Sequence, residues 1–250
     1  MRLVLDLLAK RDSSYLMQYH HQIQGLIYNL LKDSPYDNLH DKEGYKFFCF
    51  SNILPPGDLK AGDHRTLIIS SPDPKFIHHL HAVITTRLTE IRIEEMRFDL
   101  QGAKMVELDF PSDRPISMIT GTPIIVRIER DKMLQAGIAP KGLYSSVFWR
   151  TQYPISIFIE MLRKNLVSKY VEFHKTTSME MPSDLFSAFQ FKKQVSTRVK
   201  IRDAEQIVIG TVWVFEFKRE VDRGFIRFCL DAGFGERNSI GFGFMNVTNK

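Results

Sequence analysis

Hydrophobic and polar positions alternate between two periods along this chain, and the switches predict its elements. Residues 2–8, Arg-Leu-Val-Leu-Asp-Leu-Leu, suit a strand. Asp12, Ser13 and Ser14 then supply helix-capping side chains ahead of a helix predicted over 14–32. Its apolar positions Leu16, Tyr19, Ile23, Leu26, Ile27, Leu30 and Leu31 follow a 3.6-residue period, with His21, Gln24 and Tyr28 on the adjoining stripe. Gly25 leaves a gap in that helix, and its cost of ~1 kcal/mol against alanine predicts that another backbone, the C-terminal loop described below, packs closely there. A turn-rich loop over 33–45 leads to strands over 46–51 and 66–70, separated by Pro55-Pro56-Gly57. Asp73-Pro74 opens a second helix with a core face of Phe76, Ile77, Leu80, Val83, Ile84 and Leu88. An extended segment over 96–110, broken at Gly102, follows.

The linker-like run 111–115, Pro-Ser-Asp-Arg-Pro, predicts a boundary between domains 1–112 and 113–250. The second half repeats the order of the first. A strand over 116–128 contains Pro123, which implies an edge or a bulge. A turn-rich stretch runs through Gly137 and Gly142, and 154–173 is an amphipathic helix with Ile155, Phe158, Ile159, Leu162, Leu166 and Tyr170 on one face. Two long strands, 189–201 and 207–217, form a hairpin around Arg202-Asp203-Ala204-Glu205; a helix over 220–232 and a last strand carrying Phe242, Phe244 and Val247 close the chain. Each half is β-α-β-β-α-β, so the predicted class is α+β, two tandem ferredoxin-like (RRM-like) domains.

Composition adds little to the fold but narrows the partners. The net charge of +5 on 250 residues fits a polyanion without establishing one. Part of it is patterned: Ser196, Arg198, Lys200 and Arg202 alternate with Val195, Thr197, Val199 and Ile201, and Lys192 and Lys193 extend the basic run. A solvated sheet face is the commoner explanation, yet like charges at alternate positions repel unless an anion lies across them. The aromatic signature of an RNA-recognition motif is missing, so base stacking on this sheet is not indicated. Cys49 and Cys229 sit far apart in apolar surroundings and read as buried thiols in a reducing cytoplasm. His78, His79 and His81 lack the spacing of a zinc pair and read as solvated surface; no metal and no cofactor is expected. No apolar run reaches the ~18 residues a membrane span needs.

Chemistry concentrates at 233–247. Four of the 14 glycines lie there, as Gly233-Phe-Gly235 and Gly241-Phe-Gly243 around the tip Glu236-Arg237-Asn238-Ser239-Ile240. The loop follows a helix and opens a strand, the reverse of a dinucleotide-binding fingerprint, and it lacks the Gly-Lys-Ser/Thr ending of a P-loop; a nucleotide-binding enzyme is disfavoured. A single Gly-x-Gly would be read as a helix cap. Two pairs around a polar tip fit a loop that presents backbone N–H groups and Arg237 to a polyanion.

These two glycine pairs, together with Gln24-Gly25-Leu26-Ile27-Tyr28-Asn29 in the first helix, resemble the CRISPR-associated endoribonucleases that cut repeat transcripts into guide RNAs, the sixth Cas family of the RAMP superfamily. The resemblance spans essentially the whole chain and is strongest at its ends. It implies RNA contacts from Gly233, Gly235, Arg237, Asn238, Ser239, Gly241 and Gly243, joined by Lys192, Lys193, Arg198, Lys200 and Arg202 of the basic strand. It also implies a catalytic tyrosine at Tyr28, a histidine soon after the helix and a lysine beyond it, spacings that His40 and Lys46 fill. Metal-independent cleavage needs the 2′-hydroxyl to lose a proton, the 5′-oxygen to gain one and the phosphorane charge to be stabilised. His40 is assigned as acid, Tyr28 as base and Lys46 as the stabilising cation, with acid and base exchangeable. Singly, each has a plainer reading, as core aromatic, solvated loop residue or strand-edge charge. The implied partner is single-stranded or weakly structured repeat RNA, with other Cas proteins of an effector complex beside it, and monomer and homodimer stay open. The rival is a non-cleaving RAMP-type subunit that only holds the RNA.

Overall fold

The computed structural model describes residues 1–15, 19–110, 115–138, 145–178, 184–201 and 204–248, and of 200, 201 and 204 the backbone only. The first half runs β1 (Arg2–Ala9), α1 (His20–Leu30), a 3-10 turn (Asp37–Leu39), β2 (Cys49–Phe50), β3 (His64–Ser70), α2 (Pro74–Arg87), β4 (Glu90–Ile93) and β5 (Met96–Val106). The second runs β6 (Ile116–Thr120), β7 (Arg127–Glu129), α3 (Arg130–Gln135), β8 (Ser146–Phe148), α4 (Ile155–His174), β9 (Phe186–Ile201), β10 (Ala204–Phe217), α5 (Arg223–Ala232), a 3-10 turn (Asn238–Ile240) and β11 (Met245–Val247).

The sheets are antiparallel, in the orders β2-β3-β1-β5-β4 and β11-β6-β10-β9, with β7 and β8 paired separately. With β4 set aside, the four strands of each half stand in the same spatial order, 2-3-1-4, which is the ferredoxin-like arrangement expected from the sequence. Leu3, Leu5 and Leu7 on the inner face of β1 are fully buried with Ile23 and Ile27 of α1 and Ile77 and Leu80 of α2. The second core sets Trp213, Phe215 and Phe217 of β10 against Phe158, Leu162 and Leu166 of α4 and Phe225 and Ile226 of α5. Each such side chain contributes about 1.5–3 kcal/mol by leaving water.

Several expectations are corrected. The strand β4 was missed: Glu90–Ile93 alternates exposed and buried positions and adds a short edge to the first sheet. Strand β2 keeps only two of its six predicted residues, because Phe47 adopts φ 52°, which no extended strand allows. The strand predicted over 116–128 ends at Thr120; Pro123 has no N–H to give, and the chain turns so that Gly121 and Thr122 both donate to Phe244 O. Helix α3 occupies part of a stretch read as turns. Helix α5 begins three residues later than predicted, where Asp222 caps it by accepting from Phe225 N at 2.8 Å. His78 is exposed as expected, but His79 is half-buried with Nε2 3.2 Å from Leu30 O. Cys49 and Cys229 are buried free thiols. No described helix is long and apolar enough to cross a membrane.

The two halves are pressed together rather than strung apart. Phe47 of the first half packs into the second core, its ring 5.1 Å from that of Phe173. Arg2, buried at the interface, donates from Nη2 to Met245 O at 2.6 Å and lies 4.7 Å over the Phe244 ring. Asp231 of α5, also buried, accepts from Ser70 Oγ at 3.1 Å. Leu108 and Phe110, inside the predicted first domain, pack against the second core.

No close backbone faces Gly25: a Cβ placed there would meet nothing within 4 Å, so its expected packing partner is absent and the glycine is only a helix weakness. Gly243 is the opposite case, with φ 71° and Phe234 O at 1.9 Å from the position of a Cβ. Gly25→Ala is therefore expected to stabilise the protein by ~1 kcal/mol and Gly243→Ala to destabilise it by about 3 kcal/mol or more, as read from urea unfolding.

Candidate active site

The glycine loop is built inward. Gly233, Gly235, Gly241 and Gly243 all have positive φ and are all buried. Gly233 N donates to Cys229 O, Gly241 N to Asn238 O and Gly243 N to Pro123 O. These three N–H groups, assigned from the resemblance to RNA, are thus spent within the protein, and the glycines shape the loop. Gly235 and residues 236–239 of the half-buried tip line the open side of the loop.

Beneath the loop lies a residue that sequence reasoning passed over. Lys169 of α4 is 2% exposed, and its Nζ donates to Gly233 O at 2.8 Å, Gly235 O at 2.6 Å and Asn238 Oδ1 at 2.5 Å. Burial pulls its pKa down to about 7. The signal was legible: Lys169 falls on the apolar stripe of α4 with Leu162 and Leu166. Asn238 turns its Nδ2 to Phe234 O at 3.0 Å and Phe242 O at 2.9 Å, which ties the two glycine pairs together.

The tip meets α1 at Tyr28. The 3-10 turn of the tip packs on α1, where the Ser239 hydroxyl favours the ionised form of Tyr28, and Gln24 Nε2 lies 3.4 Å from the Tyr28 hydroxyl. The Tyr28 ring stands edge-on to His40, with centroids 4.9 Å apart, and Lys46 Nζ lies 5.2 Å from the centre of the Tyr28 ring. Lys46 Nζ also donates to His40 O at 2.5 Å. The structure therefore brings Tyr28, His40 and Lys46 together from a helix, the end of a 3-10 turn and the approach to β2. His40 is exposed, with Nδ1 2.9 Å from Asp41 Oδ1, so that carboxylate favours the proton on Nδ1 and leaves Nε2 to exchange. Burial, first of all, raises the Tyr28 pKa. A hydroxyl harder to ionise than usual is better suited to donate its proton than to accept one, which favours the exchanged assignment of acid and base. Burial likewise lowers the Lys46 pKa.

An open cleft of about 1120 Å³ runs from Lys46 and Ser239 between the halves, walled by Tyr45, Arg127, Lys164 and Glu236. Arg127 Nε pairs with Glu236 Oε2 at 2.5 Å, and Arg237 Nη2 reaches Gln206 Oε1 at 3.4 Å. On β9, Lys192, Lys193 and Arg198 are exposed. A bulge where Lys193 pairs Val212 but Phe191 pairs Trp213 shifts the alternation, so the basic run is not one continuous face. Arg202 lies outside the described residues, as does the side chain of Lys200. Among the described residues no three His, Cys, Asp or Glu side chains group as a metal site.

Comparison with known proteins bears on what this cluster does. Residues 104–247 match the family model described as CRISPR associated protein Cas6, C-terminal. The chain is 33% identical to "CRISPR-associated endoribonuclease Cas6 2" of Methanocaldococcus jannaschii over 98% of its own length and 99% of that protein. It is 28% identical to "CRISPR-associated endoribonuclease Cas6" of Haloferax mediterranei over 100% of its own length and 94% of the relative. Among solved structures, "CRISPR associated protein Cas6" aligns over 100% of this chain and 99% of its own with TM-score 0.71 at 24% identity. "An RAMP protein binding different RNA substrates" aligns over the whole of both chains with TM-score 0.74 at 22% identity. At those identities the structures speak to the fold alone.

The buried lysine gives the site a pH signature. Folded, Lys169 gives up its proton near pH 7, while in the unfolded chain it holds it to about 10.5, its ordinary value. Between the two the unfolded chain binds more protons, so the stability that depends on Lys169 rises with pH across that window. Urea unfolding at pH 7 and at pH 9 is expected to show the wild type gaining on Lys169→Met as pH rises; a flat or falling difference contradicts it.

Proposed function

The chain belongs to the Cas6 family, and on that premise we propose that it is an endoribonuclease that cuts CRISPR repeat transcripts into guide RNAs by 2′-hydroxyl attack. One observation carries the reading: Tyr28, His40 and Lys46, from three separate local elements, come together beside the loop tip, with Lys46 and Ser239 lining the cleft. The repeat RNA crosses here with its scissile phosphate between the three.

His40 Nε2 takes the 2′-hydroxyl proton as the 2′-oxygen attacks phosphorus. The bond from phosphorus to the 5′-oxygen then breaks, and the Tyr28 hydroxyl gives its proton to the departing oxygen. This exchanges the acid and base first assigned, and it follows the raised Tyr28 pKa and the exposure of His40. Lys46 spends one of its three N–H groups on His40 O, which leaves two for the non-bridging oxygens, where phosphorane charge gathers. The products are a 2′,3′-cyclic phosphate and a 5′-hydroxyl. Solvent returns the protons to Tyr28 and from His40.

Under single-turnover conditions His40→Ala and Tyr28→Phe are each expected to slow cleavage of repeat RNA by ~10²–10⁴-fold with little change in affinity. Lys46→Ala is expected to slow it and weaken binding as well, because its charge attracts the ground state too. A 2′-deoxynucleotide at the cut abolishes cleavage, and EDTA does not. Wild-type rates in all three variants contradict the assignment; a bound but uncut repeat in the wild type supports the binding-only alternative.

A further inference from the structure

We infer that Lys169 is a positioning residue for cleavage: it seats Asn238 between the two Gly-Phe-Gly pairs and so holds Ser239 against the Tyr28 hydroxyl. The inference rests on the role of Tyr28 proposed above.

The geometry is a chain of constraints. Gly233 O, Gly235 O and Asn238 Oδ1 converge on one point in the interior, and oxygens can only accept. A donor with three N–H groups satisfies all three, and an ammonium on an unbranched stem is such a donor. As an ammonium Lys169 only donates, so it also fixes which way the Asn238 amide points, with Oδ1 toward Nζ and Nδ2 toward Phe234 O and Phe242 O.

The glycines make room for that amide. A Cβ on Gly233 would stand 2.7 Å from Asn238 Nδ2, and one on Gly243 would stand 2.7 Å from the same atom. The motif that resembles a phosphate cradle is thus occupied by a side chain of its own loop. Ser239 is the next residue in the same 3-10 turn, that turn packs on α1, and Ser239 is its member that acts on Tyr28. A purely structural clamp would end at Asn238. Here it continues one residue further, across the interface between the halves, to the proposed proton donor. Lys169 itself need not touch RNA to matter.

Single-turnover cleavage of repeat RNA, with affinity measured on a repeat carrying a 2′-deoxynucleotide at the cut, tests this. Lys169→Met and Asn238→Ala are made in the wild type and in Tyr28→Phe. In the wild type each is expected to lower the rate about tenfold or more while leaving the dissociation constant within about twofold, since misplacement of a reacting group by ~1 Å can cost 10² in rate. In Tyr28→Phe the same changes are expected to lower the residual rate by no more than about twofold, because the group they position is gone. Affinity falling in step with rate, or an undiminished loss in Tyr28→Phe, overturns the inference. If Lys169→Met fails to fold, Asn238→Ala decides, because it leaves Lys169 its two carbonyl partners. If Tyr28→Phe alone cuts at the wild-type rate, the reading of Tyr28 falls and takes this inference with it, an outcome visible before any Lys169 variant is compared.

Discussion

An amide side chain can lie between two stretches of backbone only where neither carries a Cβ in its way. That steric condition orders this protein's C-terminal loop. Glycine at 233 and at 243 admits Asn238, whose two polar ends then hold the loop closed from inside, one end on Lys169 and the other on Phe234 O and Phe242 O. Once the loop is closed its tip is held against α1.

The two halves of the chain divide the work along this line. The first half supplies Tyr28, His40 and Lys46, the proton-transfer groups and the cation of the proposed mechanism. The second half holds the tip, through α4 and the glycine pairs, and walls the cleft with Arg127 and Lys164. A site shared in this way is only as well ordered as the interface that carries it. The interface is accordingly rich in buried polar contacts, such as Arg2 on Met245 O and Ser70 on Asp231, where removal of one partner would leave the other unsatisfied at about 1–3 kcal/mol.

Period and turn chemistry made most of the architecture legible. The alternation in β1, the cap at Asp73-Pro74 and the paired runs of β9 and β10 led to two ferredoxin-like halves, which the topology bears out. What failed were features decided by tertiary contact. Strand β4 is too short to declare itself, and β2 is cut down by the bend at Phe47. Gly25 looked like a packing site because a glycine in a helix asks for a reason, and the structure offers none. At the site, the grouping of Tyr28 with His40 and Lys46 came from resemblance, not from pattern. Lys169 was readable as a charge on an apolar stripe, but its purpose depends on carbonyls 64 and 66 residues away. The raised Tyr28 pKa could not be foreseen either, since the burial that raises it is a property of the fold.

In the proposed mechanism a hydroxyl from the second half, Ser239, acts on the proton donor of the first, Tyr28. The most direct measurement is a double-mutant cycle on single-turnover cleavage with Ser239→Ala, Tyr28→Phe and the pair. The account predicts that Ser239→Ala slows the wild-type reaction and that the double variant cuts no more slowly than Tyr28→Phe alone. Losses that multiply in the double variant would mean that Ser239 and Tyr28 act independently, and would contradict it.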